Sequence, residues 1–177
     1  MSAPSRFSFE PKALALSLRI AGLRLTHAVI SFGILLLAAR LAAERWSVNL
    51  LLPSHGAMAV ILLCLSDRDI ARPRNVICGQ VAGALLGIAC RQWIAPWSLE
   101  GAILAAVAGT IFVITFLDCV YPPAGAVALW AVIVPAPFDP VAFLVWGAMA
   151  GPIIYLSVVR LMARLASRGD GWRRWTS

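Results

Sequence analysis

The chain reads as an all-α integral membrane protein of six apolar segments, arranged as two inverted three-segment repeats with half-length second and fifth helices. Three observations lead there. First, hydrophobic residues make up 61% of the 177 residues and charged residues only 13%, with a mean hydropathy of +0.86. Soluble domains carry about a quarter charged residues, so this chain lacks the polar surface to face water on every side. Second, the apolar residues gather in runs separated by short charged loops. Third, a small-residue motif recurs in order at nearly one spacing. A chain of this length makes one bundle.

The six segments run from about Leu25 to Ala43, Asn49 to Leu65, Val76 to Ala95, Gly101 to Val120, Pro122 to Val134 and Val141 to Leu161. The first, third, fourth and sixth approach the roughly 20 residues of a spanning helix. The second holds Pro53, which leaves only Ser54 to Leu65 free to be helical. The fifth opens on Pro122-Pro123 and stops before Pro135. A dozen residues reach ~18 Å, short of a hydrocarbon core ~30 Å thick. Each short helix either dips in and returns or forms the helical half of a broken span. Residues 1–24 form an N-terminal segment, 25–165 the membrane domain and 166–177 a basic tail. Pro11 to Arg24 reads as an amphipathic stretch on the membrane surface, with Leu14, Leu18 and Leu25 on one side. Its dispersed charges do not fit a cleavable signal.

The 15 Lys and Arg residues against 8 Asp and Glu flank apolar runs instead of interleaving with aromatics, which excludes nucleic acid as the expected partner. With six crossings and a cytoplasmic N-terminus, twelve of the fifteen basic residues fall inside and Arg40, Arg45 and Arg91 outside. Re-entrant second and fifth segments would reduce this to ten against five. The positive-inside rule therefore favours six crossings with both termini cytoplasmic. The repeat agrees. Pro53-Ser-His-Gly56-Ala-Met-Ala59 matches Pro122-Pro-Ala-Gly125-Ala-Val-Ala128 at a shift of 69, and Gly79-Gln-Val-Ala-Gly83 matches Gly147-Ala-Met-Ala-Gly151 at 68. A unit with three crossings is upside down relative to its twin, a transporter signature.

A helix start inside the membrane leaves backbone N–H groups to be satisfied and carries the positive end of the helix dipole. Two such starts define the expected anion site: Ser54, His55, Gly56 and Ala57 on one, Tyr121, Pro122, Pro123, Ala124, Gly125 and Ala126 on the other. Gly56 and Gly125 let a ligand approach the backbone, and His55 is placed to tune anion affinity by protonation. Gly79, Gly83 and Gly87 are assigned to helix packing. Asp118 is either a coupling acid or an interfacial one. Arg68, Arg72 and Arg74 are topology determinants that, with Asn75, could also draw anions to the inner mouth. The four cysteines are far apart, with no C-x-x-C, and read as apolar fillers. No nucleophile–base pair or metal motif stands out, so neither enzyme activity nor a cofactor is expected, and no metal.

The string Tyr121-Pro-Pro-Ala-Gly-Ala126 resembles the His-Pro-Pro-Ala-Gly-Ala signature of the HPP family of integral membrane proteins. Pro73-Arg74-Asn75-Val76-Ile77 followed by Gly79 resembles that family's other recurrent motif. The likeness covers roughly residues 30 to 165. It implies a small bacterial or organellar membrane protein, here of the bacterial inner membrane, with a small inorganic anion such as nitrite as cargo. Tyr121 replaces the histidine that names the family, while a histidine stands at position 55 in the other repeat. The expected partners are the lipid bilayer, the anion and further copies of the chain in a homo-oligomer. The alternative is a non-transporting membrane subunit that packs on another membrane protein through its glycine-rich faces.

Overall fold

The computed structural model describes residues 11–46, 51–65 and 68–166, and among these every regular element is helical. In chain order they are α1 (Pro11–Trp46), α2 (Ser54–Cys64), a 3₁₀ turn (Asp69–Ala71), α3 (Pro73–Trp93), α4 (Leu99–Phe116), α5 (Pro123–Ile133) and a last rod over 140–166. That rod opens with α6 (Pro140–Ala142), widens into a π-helical stretch (Phe143–Ala150) and closes with α7 (Gly151–Ala166). Four stretches are long and apolar enough to cross a membrane: Ala21–Leu41, Pro73–Trp93, Leu99–Phe116 and Pro140–Leu161. α2 and α5 have 11 residues each, about 16 Å. The long–short–long order thus occurs twice.

One expectation changes. α1 is continuous through Arg24, so Pro11 to Arg24 and the first candidate span, Ala21–Leu41, belong to one helix. Nothing between Ala15 and Leu25 breaks it, since Gly22 has no proline beside it and alanine and leucine favour the helix. Residues 1–10 and the tail from 167 lie outside the described residues.

Helix ends follow from local chemistry. Pro73 occupies the first turn of α3, where its missing N–H costs nothing. Ser98 Oγ accepts from Gly101 N at 3.0 Å to start α4, and Asp139 Oδ1 accepts from Val141 N and Ala142 N at 2.9 and 3.1 Å to start α6. Inside the apolar helices Thr110 and Thr115 hydroxyls donate to the carbonyls of Ala106 and Ile111, four residues back, as lipid offers them no other acceptor. Phe112, Phe116 and Leu104 are each at least 70% exposed on α4, the face a bilayer would cover.

The core is the seam between α3 and α5. A Cβ placed on Gly79 would lie 2.6 Å from Tyr121 Cβ; one on Gly83 would run into the Ala124 carbonyl; one on Gly87 would lie 2.5 Å from the Ala128 carbonyl. Contacts therefore step up both helices in parallel. At the lower end Arg74 Nη2 donates to Leu117 O at 3.0 Å. At the upper end Arg91 Nη1 donates to the carbonyls of Ala131, Val132 and Val134 at 3.2, 3.1 and 2.7 Å, and its guanidinium lies 4.3 Å from the Phe138 ring centroid. From Arg74 to Arg91 is ~26 Å of helix. The lead-in from Leu117 and α5 together run alongside that whole length of α3.

The same contacts recur reciprocally. Gly147, equivalent to Gly79, faces Leu52, which is equivalent to Tyr121, with 3.2 Å from an added Cβ to Leu52 Cδ1. Gly151, equivalent to Gly83, faces His55, equivalent to Ala124, with 2.5 Å to its Nε2. Each short helix rests on the long rod of the other repeat.

Three stability outcomes follow. Gly83→Val should lower unfolding stability in detergent by about 3 kcal/mol, because the obstructing atom is backbone and cannot swing away. Gly125→Val should cost far less, since nothing lies within 4 Å of an added Cβ there. Arg91→Leu should cost about 2 to 3 kcal/mol by stripping three carbonyls at the end of α5 of their donor. Thermal unfolding of the purified variants measures all three.

Candidate functional site

The two short helices begin alike. Pro53 and Pro122 precede them with nearly the same backbone angles, φ −55°, ψ −30° and φ −54°, ψ −37°. His55 N donates to Leu52 O and Ala124 N to Tyr121 O, both at 3.0 Å; Gly56 N donates to Pro53 O and Gly125 N to Pro122 O, both at 3.3 Å. The expectation of bare N–H groups at these positions is therefore corrected: a tight turn takes them up. Proline explains why, because its fixed φ bends the chain into that turn. Pro53 and Pro122 are exposed, and Ser54, Pro123, His55 and Ala124 are buried. Gly56 and Ala57 are exposed, and Gly125 and Ala126 half-buried, with open space beside both glycines.

The polar chemistry sits between the helix starts. Ser54, 1% exposed, places Oγ 3.4 Å from Gln80 Oε1 and 3.5 Å from Gln80 Nε2. Gln80 belongs to α3 and is fully buried. Beside it is Tyr121, also fully buried, whose hydroxyl neighbours Gln80 without meeting hydrogen-bond geometry to any group among the described residues. Contacts of 3.4 to 3.5 Å are at the weak limit of hydrogen bonding. Three buried groups with donor capacity thus converge, Ser54 and Gln80 bonded weakly to each other and the Tyr121 hydroxyl left unpaired at a cost of about 1 to 3 kcal/mol. A second unsatisfied hydroxyl, that of Tyr155 on α7, lies buried beside Ser31 of α1.

His55 is engaged on both ring nitrogens. Nδ1 accepts from Leu52 N at 3.2 Å, which leaves Nε2–H to donate to Gly147 O at 3.2 Å. The Gly147 carbonyl is available for a simple reason. Gly151 N bonds to Trp146 O in the i→i+5 register, and the next residue, Pro152, has no N–H to offer Gly147. The ring clasps α2 to the π-helical stretch, a structural use in place of the expected tuning of anion affinity by protonation.

The other expected site residues lie at one end of the bundle. Arg72 pairs with Asp69 at 2.7 Å in an exposed ion pair, Asn75 Nδ2 donates to Asp69 O at 3.0 Å, and Arg74 caps α4. Asp118 is exposed and has φ 49°, the left-handed conformation that ends a helix. The structure brings Ser54 and Tyr121 together around Gln80, and leaves Asp118 and the arginines apart from them. Sequence reasoning missed Gln80, Tyr155 and the capping role of Arg91. An amide in mid-span was the available signal for Gln80; nothing in the sequence marked the other two. Among the described residues no group of three His, Cys, Asp or Glu converges as a metal site.

Four helices of spanning length and two short apolar ones around a buried polar centre define a multi-pass membrane protein. The family model described as HPP, transmembrane region, matches residues 13–171, and the chain belongs to the HPP family. No curated protein and no solved structure matches it.

Asp118→Gly should raise stability by about 0.5 to 1 kcal/mol, because glycine adopts φ 49° freely and the acid no longer sits at a negative helix end. A drop in thermal stability would mean that Asp118 holds a partner.

Proposed function

We propose that the protein carries a small inorganic anion across the membrane, nitrite-like by its family resemblance, and binds it among Ser54, Gln80 and Tyr121. The observation that carries this reading is the under-satisfied donor cluster between two helix starts. Tyr121 and Ser54 offer O–H groups, Gln80 an amide N–H₂, and α2 and α5 each direct the positive end of a dipole toward it. No carboxylate stands among them. An anion would give the Tyr121 hydroxyl the partner it lacks and offer Ser54 and Gln80 a stronger one than their mutual contacts at 3.4 and 3.5 Å. Gly56 and Gly125 then serve as open flanks, and the backbone N–H groups contribute through the dipole.

The reciprocal packing supports an inverted repeat. If Gly79 meets Tyr121 and the equivalents Gly147 and Leu52 also meet, the two units are related by a local two-fold, as in an isologous interface. A head-to-tail repeat would not return the contact. With three crossings per unit, that axis lies in the membrane plane. The reading as a non-transporting subunit that docks through glycine faces loses its surface, because Gly79, Gly83, Gly87, Gly147 and Gly151 are already used inside the fold.

Single cysteines introduced at Asp69 and at Trp97, in a background cleared of native cysteines, test the topology. The first should be labelled from the cytoplasmic side and the second from the opposite side. The reverse pattern is the one expected of re-entrant short helices and would remove the inverted repeat.

Flux of nitrite and other small anions into proteoliposomes tests the activity. The parent should transport, and Tyr121→Phe and Gln80→Leu should each lower flux at least about tenfold, which corresponds to about 1.4 kcal/mol in binding. Tyr121→Phe should also be as stable as the parent or more so, since it removes an unpaired buried hydroxyl. Normal flux in both variants, or no anion movement in the parent, would refute the site.

A further inference from the structure

Cys78 Sγ and Cys119 Sγ lie 2.6 Å apart as free thiols. Cys78 is on α3, one residue before Gly79, and half-buried; Cys119 is in the lead-in to α5, two residues before Tyr121, and fully buried. The backbone holds them there from both sides. Below, Arg74 is bonded to Leu117 O; above, Gly79 abuts the Cβ of Tyr121. The thiols cannot drift apart unless the α3–α5 seam opens. Arg74 and Asp118 both lie close enough to act on Cys119 electrostatically, and both are exposed, so the pair sits near a charged, accessible end of the bundle. Neither sulfur has a role in the polar cluster.

We propose that Cys78 and Cys119 form a reversible disulfide that ties α3 to the entrance of α5. The oxidant is a low-molecular-weight disulfide. The more accessible Cys78 loses its proton to solvent and attacks one sulfur of that reagent, expelling one small thiolate. Cys119, deprotonated in turn, attacks Cys78 Sγ in the mixed disulfide and expels the second. Two protein thiols are oxidised and one reagent disulfide is reduced to two thiols. The new bond needs the sulfurs to close to about 2.05 Å, a small movement from contact. It fixes Tyr121 against Gly79 and removes the freedom of the α5 lead-in to shift along α3.

The test is chemical and does not depend on transport. The purified protein in detergent or nanodiscs is treated with glutathione disulfide, alkylated, digested and mapped by mass spectrometry. The four alkylatable thiols should fall to two, with Cys64 and Cys90 still alkylated, a Cys78–Cys119 cross-linked peptide present, and all four restored by dithiothreitol. Cys119→Ala should instead trap glutathione on Cys78. Four alkylated cysteines after treatment, or cross-links that pair either cysteine with Cys64 or Cys90, would overturn the proposal. Cross-linking in a protein that moves no anion would leave the dithiol standing and refute only the transport reading.

Discussion

Everything in this molecule leans on the absence of side chains from one face of α3. Gly79, Gly83 and Gly87 recur every fourth residue and therefore line a single stripe. Because they lack Cβ atoms, the backbone of α5 lies against α3 at carbonyl contact. Without that approach Arg91 would not reach the end of α5, Gln80 would not stand between the two helix starts, and Cys78 would not meet Cys119. In lipid there is no hydrophobic gain from bringing two apolar helices together, so close packing and internal hydrogen bonds must hold them.

A helix that starts or stops within a membrane exposes polar backbone that lipid cannot satisfy. Each break is handled by a different device. At the starts of α2 and α5, proline-directed turns take up the N–H groups. At the end of α5 one guanidinium nitrogen, Arg91 Nη1, reaches three carbonyls. In the last rod Pro152 would orphan the Gly147 carbonyl, and His55 supplies the missing donor. The π-helical stretch and the buried histidine are thus two halves of one solution, and removing either leaves a buried polar group unpaired.

Against that satisfaction, the Ser54–Gln80–Tyr121 cluster and the Tyr155 hydroxyl are exceptions. A fold able to cap every broken helix has no physical need to leave a tyrosine hydroxyl and a glutamine amide short of partners. Phenylalanine and leucine would fill the same space with less loss. The unpaired Tyr121 hydroxyl, beside Ser54 and Gln80 near two helix starts, is the basis of the proposed anion site.

The sequence by itself determined the membrane class, the order of long and short helices, the two half-length segments and the family. These depend on local or summed properties: hydropathy, proline positions, and the spacing of Pro53, Gly56, Pro122 and Gly125. It also marked both helix starts and the packing glycines, since a four-residue stripe is visible along one segment. What it did not determine is which side chains from different segments meet. Gln80 was legible only as an amide in a span, His55 looked like a titrating group, and Arg91 like a topology signal. Tertiary structure decided their roles, because each acts on an atom in a segment far along the chain: Gln80 beside Ser54 and Tyr121, His55 on Gly147, Arg91 on Val134. Hydrogen bonds of that kind depend on helix register and crossing, which only the packed glycine seam specifies.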